Sequence, residues 1–208
     1  MTLTAMVLAG GSSRRMGSDK ALLSVHSQPL WDRQLRLLHA LAPDAAWVSA
    51  RSKPAWCPPK VPFMADAPPS RGPLSGLSAG LGRLRTSHLL VLAIDLPCMS
   101  EEHLRALVEL AQPGKGVIPV NGDFYEPLCA IYPVESAAFA QAALRSDDVS
   151  LQRFVEVLLH KCLVRPYFVR PAERQLYHNL NHPSDLDAAG LAPSERSKPP
   201  AKTPYSKL

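Results

Sequence analysis

Aromatic residues are scarce in this 208-residue chain: Phe, Trp and Tyr together make up 6% of it. They do not interleave with the basic residues, which argues against a stacking platform for single-stranded nucleic acid. The four cysteines, Cys57, Cys98, Cys129 and Cys162, form no Cys-x-x-Cys and no Cys/His cluster at metal-ligand intervals. A reduced, cytoplasmic protein is the simplest expectation. No apolar run approaches the length that spans a bilayer, and the N-terminus lacks a charged region followed by a cleavable apolar core, which argues against membrane insertion and secretion. His26, His39, His88, His103, His160, His178 and His182 show no triad or ligand spacing, so all seven are expected to be structural or exposed. No nucleophile is flanked by a base, and covalent catalysis has no support.

What is present is an α/β composition. With 46% hydrophobic residues the chain can build one full α/β domain but not two with linkers. The expected division is a single domain over residues 1–190 and a flexible tail over 191–208, where prolines sit among Ser and Lys without apolar surface to bury. The tail's final Ser206-Lys207-Leu208 equals a peroxisomal address, a match that three residues often reach by chance. The net charge of +5 favours anionic partners. Several of those charges lie in a glycine loop near the N-terminus and in the tail, so no broad nucleic-acid face is expected.

Continuous apolar runs predict buried strands at Met6 to Leu8, Ala46 to Val48, Val61 to Met64, Leu89 to Ile94, Gly116 to Val120, Leu128 to Tyr132 and Lys161 to Arg165. Helical spacing predicts helices at Pro29 to Leu41, Gly72 to Leu84, Val134 to Leu144 and Leu151 to Leu159. Another runs from a Ser100 cap to Ala111, with Glu101 and Glu102 in the first turn where the macrodipole favours anions. Alternation of strand and helix implies a doubly wound, mostly parallel sheet with helices on both faces, a Rossmann-like α/β architecture. In such sheets ligands sit beyond the carboxyl ends of the strands.

The first strand ends in Gly10-Gly11 and releases into the cationic loop Ser12-Ser13-Arg14-Arg15-Met16-Gly17-Ser18-Asp19-Lys20. Glycines there let backbone N–H groups approach an anionic or planar ligand, and Arg14, Arg15 and Lys20 supply charge against phosphates. It is not a Walker A loop, because no Gly-Lys-Ser/Thr follows at the needed spacing, and Gly-x-Gly-x-x-Gly is absent. Asp95 closes the run Leu89 to Ile94, where a carboxylate would emerge at the ligand crevice and suit a hard cation such as Mg2+ bridging to substrate phosphates. Its alternative is a local cap on the Pro97 turn. Asp66 could reach a ribose hydroxyl or a metal-bound water, or serve as a turn residue before Pro68. Gly72 and Gly76 open a helix with small residues, for a phosphate or for close packing on the sheet. Asn179 and Asn181 are read as ending a strand, where paired amides could bond a ligand or cap a helix.

Leu8-Ala9-Gly10-Gly11, Arg15-Met16-Gly17 and Lys20 resemble the signature loop of the doubly wound nucleotidyltransferases. Together with Asp66, Gly72-Pro73-Leu74-Ser75-Gly76, Asp95-Leu96-Pro97, Pro127-Leu128 and Asn179-Leu180-Asn181 they resemble, in order and approximate spacing, the molybdenum cofactor guanylyltransferase (MobA-like) family from Met1 to about Gly190. That resemblance implies transfer of GMP from GTP to the phosphate of molybdopterin with Mg2+, releasing pyrophosphate. Leu8, Ala9 and Gly10 would hold the guanine end, Lys20 the phosphates, Asp66 the nucleoside or metal shell, and Asp95 the metal; Arg15 is expected beside Lys20 in the catalytic set for its charge. Gly11, Gly72, Gly76, Asn179 and Asn181 complete the expected nucleotide site. The implied partners are GTP and molybdopterin, with transient contact to other cofactor-biosynthesis proteins or apo-molybdoenzymes, and neither nucleic acid nor membrane. One segment departs from the family: Val48-Ser49-Ala50-Arg51 stands where an asparagine-containing segment usually contacts the nucleotide. Base selectivity is therefore less determined than the phosphate chemistry, and CTP or another acceptor stays open.

Overall fold

The computed structural model describes residues 1–10, 19–66, 70–180 and 185. Gly11, Arg14, Arg15, Met16, Gly17, Asn181 and the segment 191–208 lie outside the described residues. The first strand, β1 (Leu3–Leu8), is buried at every position, as expected of a strand covered on both faces. A 3-10 turn, Lys20–Leu22, and a two-residue hairpin, β2 (Ser24–Val25) and β3 (Gln28–Pro29), lead into α1 (Leu30–Ala40). The chain continues through β4 (Ala45–Ala50), β5 (Phe63–Ala65), α2 (Pro73–Arg83), β6 (His88–Ala93), α3 (Glu101–Leu110), β7 (Gly116–Asn121) and β8 (Phe124–Tyr125). It ends with β9 (Cys129–Pro133), α4 (Ser136–Arg145), α5 (Leu151–His160), β10 (Val164–Phe168) and a 3-10 helix, Pro171–Tyr177.

The main sheet runs β10-β7-β9-β6-β1-β4-β5, with β8 added beside β7. Strand β1 pairs in parallel with β4 and β6, and β5 and β10 pair in parallel with β4 and β7. Among the described residues only β8 and β9 run against their neighbours in this sheet, because Gly122, at φ +64, turns the chain back on itself after β7. Side chains alternate across β1 and β6, so each strand feeds two cores. Ala5, Val7, Leu90 and Leu92 meet Trp31, Leu35 and Leu38 of α1 and Leu104 and Leu107 of α3. Met6, Leu8, Leu89 and Val91 meet Leu74, Leu77 and Leu81 of α2 and Phe154, Val155 and Leu158 of α5. The doubly wound arrangement expected from the sequence is the one found.

Three expectations shift. The last strand starts at Val164 because α5 runs to His160 and Cys162, at φ +56, completes the turn out of it. Asn179 follows the 3-10 helix Pro171–Tyr177 and ends no strand, since Glu173 and Tyr177 are spent on packing this segment against α3. The short hairpin β2–β3 went unseen because its strands are too brief to show a period.

Two of the histidines are buried and bonded. His88 places its ring nitrogens against Ser87 Oγ and the Gln112 carbonyl, each at 3.0 Å. His103 meets the Tyr177 hydroxyl and lies 3.6 Å from Glu173. Burial lowers the pKa of both below the usual histidine value. The unfolded chain therefore binds more protons than the folded one below about pH 6.5, and stability falls with pH there, by less than about 1.4 kcal/mol per unit for each histidine. Thermal melts should show a lower midpoint at pH 5.5 than at 7.5, and His103→Gln should flatten that dependence; an equal slope in the variant would remove His103 from the account. Glu173 acts in a lower window: Arg170 hydrogen bonds hold it down to about 2, so its contribution is lost only between about pH 4.3 and 2.

Candidate functional site

The ladders of the parallel strands continue one residue past their ends, and this brings the site together. Ala9 N–H donates to Ser49 C=O at 2.8 Å, Asp66 N–H to Ala50 C=O at 3.2 Å and Ile94 N–H to Leu8 C=O at 3.0 Å. The residues after β1, β4, β5 and β6 thus share one edge. Leu128, just before the reversed β9, joins them because its C=O accepts from Ala93 N–H at 2.7 Å.

Across this edge Lys20 Nζ lies 3.6 Å from Asp95 Oδ2, with both side chains partly exposed. Lys20 is aimed by its own turn: Asp19 caps the Lys20–Leu22 turn by accepting from Ala21 N–H at 3.0 Å. The other Asp19 oxygen accepts from the Trp56 indole at 2.8 Å, and Trp56 stacks on Trp31 with ring centroids 5.8 Å apart. Asp95 accepts no hydrogen bond from its own turn among the described residues, so a local cap does not account for it. The turn is instead held by its carbonyls. Leu180 N–H bonds the Asp95 C=O, Gln34 bonds that of Leu96, and Arg33 bonds those of Pro97 and Met99, all at 2.8 to 2.9 Å. With the backbone fixed from outside, the Asp95 carboxylate is left for other partners.

Lys20 and Asp95 line a cavity of about 250 Å3 together with Leu8, Ala9, Gly10, Asp19 and Leu128. An adjoining cavity of about 190 Å3 shares Leu8, Gly10 and Pro73 with it and adds Arg51, Asp66, Ser70, Gly72 and Gly76. Together they reach the size of a small-molecule site, roughly 300–1,000 Å3. Asp66 Oδ2 accepts from Ser70 Oγ at 2.8 Å. Gly72 sits at φ +84, a backbone setting that suits glycine. Gly76 has a packing reason as well as a place in the lining: a Cβ there would fall 2.5 Å from Leu8 Cδ1 and 3.0 Å from Ser49 Oγ. Pro73 offers no N–H and the Ser75 N–H is used by Gly72 C=O at 3.0 Å, so the start of α2 has few donors for a phosphate.

Of the expected site residues, Leu8, Ala9, Gly10, Lys20, Asp66, Gly72, Gly76 and Asp95 therefore surround two joined cavities. Asn179 is exposed and lines neither, although its neighbour Leu180 is bonded to the Asp95 turn. Gly11, Arg15 and Asn181 lie outside the described residues. Sequence reasoning missed Arg33, Gln34 and Trp56. A signal existed for one of them, because Gln34 falls in the apolar stripe formed by Trp31, Leu35 and Leu38 and is fully buried. Among the described residues no group of three or more His, Cys, Asp or Glu could hold a metal by itself.

A doubly wound sheet whose strand ends bring a lysine and an aspartate to one cavity defines an α/β protein with a ligand site at the carboxyl ends of its strands. Solved structures agree on the fold. A nucleotidyl transferase from Methanothermobacter thermautotroptrophicus superposes with a TM-score of 0.71 over 90% of this chain and 95% of that one, at 18% identity. Molybdopterin-guanine dinucleotide biosynthesis protein A from Archaeoglobus fulgidus does so with a TM-score of 0.65 over 89% and 96%, at 23% identity. The chain belongs to the family described as MobA-like NTP transferase domain, which matches residues 5–162. A relative from Opitutus terrae, named "Probable molybdenum cofactor guanylyltransferase", is 34% identical over 188 residues, 89% of this chain and 93% of its own. The "Molybdenum cofactor guanylyltransferase" of Pseudomonas putida is 31% identical over 151 residues, 71% of this chain and 79% of its own. Among the described residues no helix is long and apolar enough to cross a membrane.

Proposed function

We propose that this chain transfers GMP from GTP to the terminal phosphate of molybdopterin, giving the guanine dinucleotide and pyrophosphate. The observation that carries the reading is the meeting of Lys20 and Asp95 across a cavity floored by Leu8, Ala9 and Gly10. The names of the relatives supply the acceptor and the base. In the reaction an acceptor phosphate oxygen bonds the α-phosphorus while the bond from that phosphorus to the bridging oxygen breaks, and the electron pair leaves with pyrophosphate. The acceptor is already an anion, so no side chain has to remove a proton; alignment and neutralisation of charge lower the barrier.

Lys20 and Asp95 hold each other at 3.6 Å. On binding a triphosphate, Lys20 would turn to the phosphate oxygens, and Asp95 is the residue that would hold a divalent ion. Bound Mg2+ would neutralise charge on the departing pyrophosphate and fix its geometry. Arg15 adds positive charge on the phosphate side, and Asp66 serves the nucleoside. The reaction is assigned to the cytoplasm, with transient hand-over to apo-molybdoenzymes or other cofactor-biosynthesis proteins.

The test is pyrophosphate release by the full chain with Mg2+. Turnover is expected with GTP and molybdopterin together and not with either alone. A higher rate with CTP, or with a sugar phosphate as acceptor, would replace this reading with that of a related transferase. Stabilisation by GTP without turnover would make the chain a binding protein of the same pathway.

A further inference from the structure

We propose that Arg51 selects the base: its guanidinium donates to the O6 and N7 acceptors of guanine, while Asp66 accepts from N1–H and the 2-amino group. The inference rests on the nucleotidyl-transfer reading above and names the specificity-determining residue of that site. Four observations carry it. Strands β4 and β5 pair in parallel with Ala50 opposite Ala65, so Arg51 and Asp66, each one residue further on, leave the sheet side by side, roughly 4.8 Å apart. Their strands are joined at that point by the Asp66 N–H to Ala50 C=O bond, which fixes the pair relative to each other.

Both residues line the same cavity, yet no ion pair joins them among the described residues, and Asp66 Oδ2 is occupied by Ser70. The cavity therefore presents a two-pronged donor beside an acceptor. Finally, on the nucleotidyl-transfer reading Lys20 takes the phosphates at the Asp95 end of the joined cavities, which leaves the Arg51 end for the base. A triphosphate laid along Gly10 thus points its phosphates at Lys20 and its base at Arg51.

Guanine matches this edge and adenine does not, because adenine places a second N–H donor where guanine has O6. A lysine or an asparagine at position 51 would not reproduce the fork, since only the guanidinium presents two parallel N–H groups.

Binding of GTP, 7-deaza-GTP, ATP, CTP and inorganic tripolyphosphate, each with Mg2+, tests this by isothermal calorimetry on the full chain. Wild type is expected to prefer GTP over ATP by roughly 10- to 100-fold, the range for one bidentate arginine–guanine contact. It should also prefer GTP over 7-deaza-GTP, which lacks only the N7 acceptor. Arg51→Met should collapse the GTP to 7-deaza-GTP ratio to near one and leave tripolyphosphate binding unchanged. Arg51→Lys should keep part of the ratio, because an ammonium can also reach O6 and N7 but without the planar fork. An unchanged ratio in Arg51→Met overturns the proposal, as does equal weakening of tripolyphosphate, which would make Arg51 a phosphate ligand. Tighter binding of CTP than GTP by wild type overturns it too. Arg51 is exposed, so a wild-type melting temperature is expected in both variants. Because the readout needs no molybdopterin, failure of the acceptor assignment leaves a collapsed ratio in Arg51→Met visible, and the two failures stay distinct.

Discussion

Asp95→Asn is expected to lower pyrophosphate release by about 100- to 1,000-fold, the scale of losing one preorganised electrostatic group, and to leave the melting temperature within a few degrees of wild type. The two halves of this prediction have separate physical causes. The carboxylate is partly exposed and its side chain meets Lys20. Exposed or half-exposed ion pairs contribute about 0–1 kcal/mol, so little stability goes with it. The turn that carries Asp95 is held by Leu180, Gln34 and Arg33 through main-chain carbonyls, and an amide of the same shape leaves all of those bonds in place. What asparagine cannot supply is the negative charge that holds a divalent ion against the leaving phosphates. The check is a rate measurement alongside a melt, with GTP affinity determined at high and low Mg2+. In the variant the affinity should depend less on Mg2+. Wild-type turnover would remove Asp95 from the chemistry, and a large fall in melting temperature would make it structural.

Gly116→Ala is expected to abolish or nearly abolish folding, with a loss of at least about 4 kcal/mol, the exceptional range for a single substitution. A Cβ on Gly116 would lie 2.0 Å from the Ile131 carbonyl oxygen and 2.9 Å from the Ile131 carbonyl carbon. Both are backbone atoms of β9, and no rotamer relieves them. Strand β7 would have to part from β9 in the interior of the sheet, with β10 following it. Gly122→Ala provides the contrast: nothing lies within 4 Å of its Cβ position, and only its φ of +64 opposes the change, a cost of about 1–2 kcal/mol. Soluble yield and circular-dichroism melts of the two variants decide it. A Gly116→Ala protein that melts like wild type would contradict the β7–β9 pairing.

The expected site residues that line the two cavities were legible where they stand at a break in a local pattern. Asp95 ends an unbroken apolar run, and Gly10 ends another. A carboxylate or glycine at such a break is visible to anyone counting apolar residues, since a strand buried on both faces excludes an unpaired carboxylate and is weakened by glycine. Gly72 was readable as a helix start from the Pro that follows it. Gly76 was half readable: its place in α2 was expected, but whether it serves ligand or packing depends on Leu8 and Ser49, which come from two other strands. Trp56 and Arg33 gave no local sign, because a loop tryptophan and a helical arginine fit many roles. Their partners, Asp19 and the Pro97 and Met99 carbonyls, are distant in the chain.

By itself the amino-acid order determined the succession of strands and helices, the two-sided burial of β1 and β6, and the points at which apolar runs give way to polar groups. These follow from side-chain periodicity and backbone preference, which act between residues a few positions apart. Tertiary structure alone decided that β9 enters the sheet reversed, that Lys20 faces Asp95, that Arg33 and Gln34 brace the turn, and that Arg51 stands beside Asp66. Each of these depends on which strand lies next to which, a choice made by long-range packing and hydrogen-bond register, for which no short window of residues carries the information.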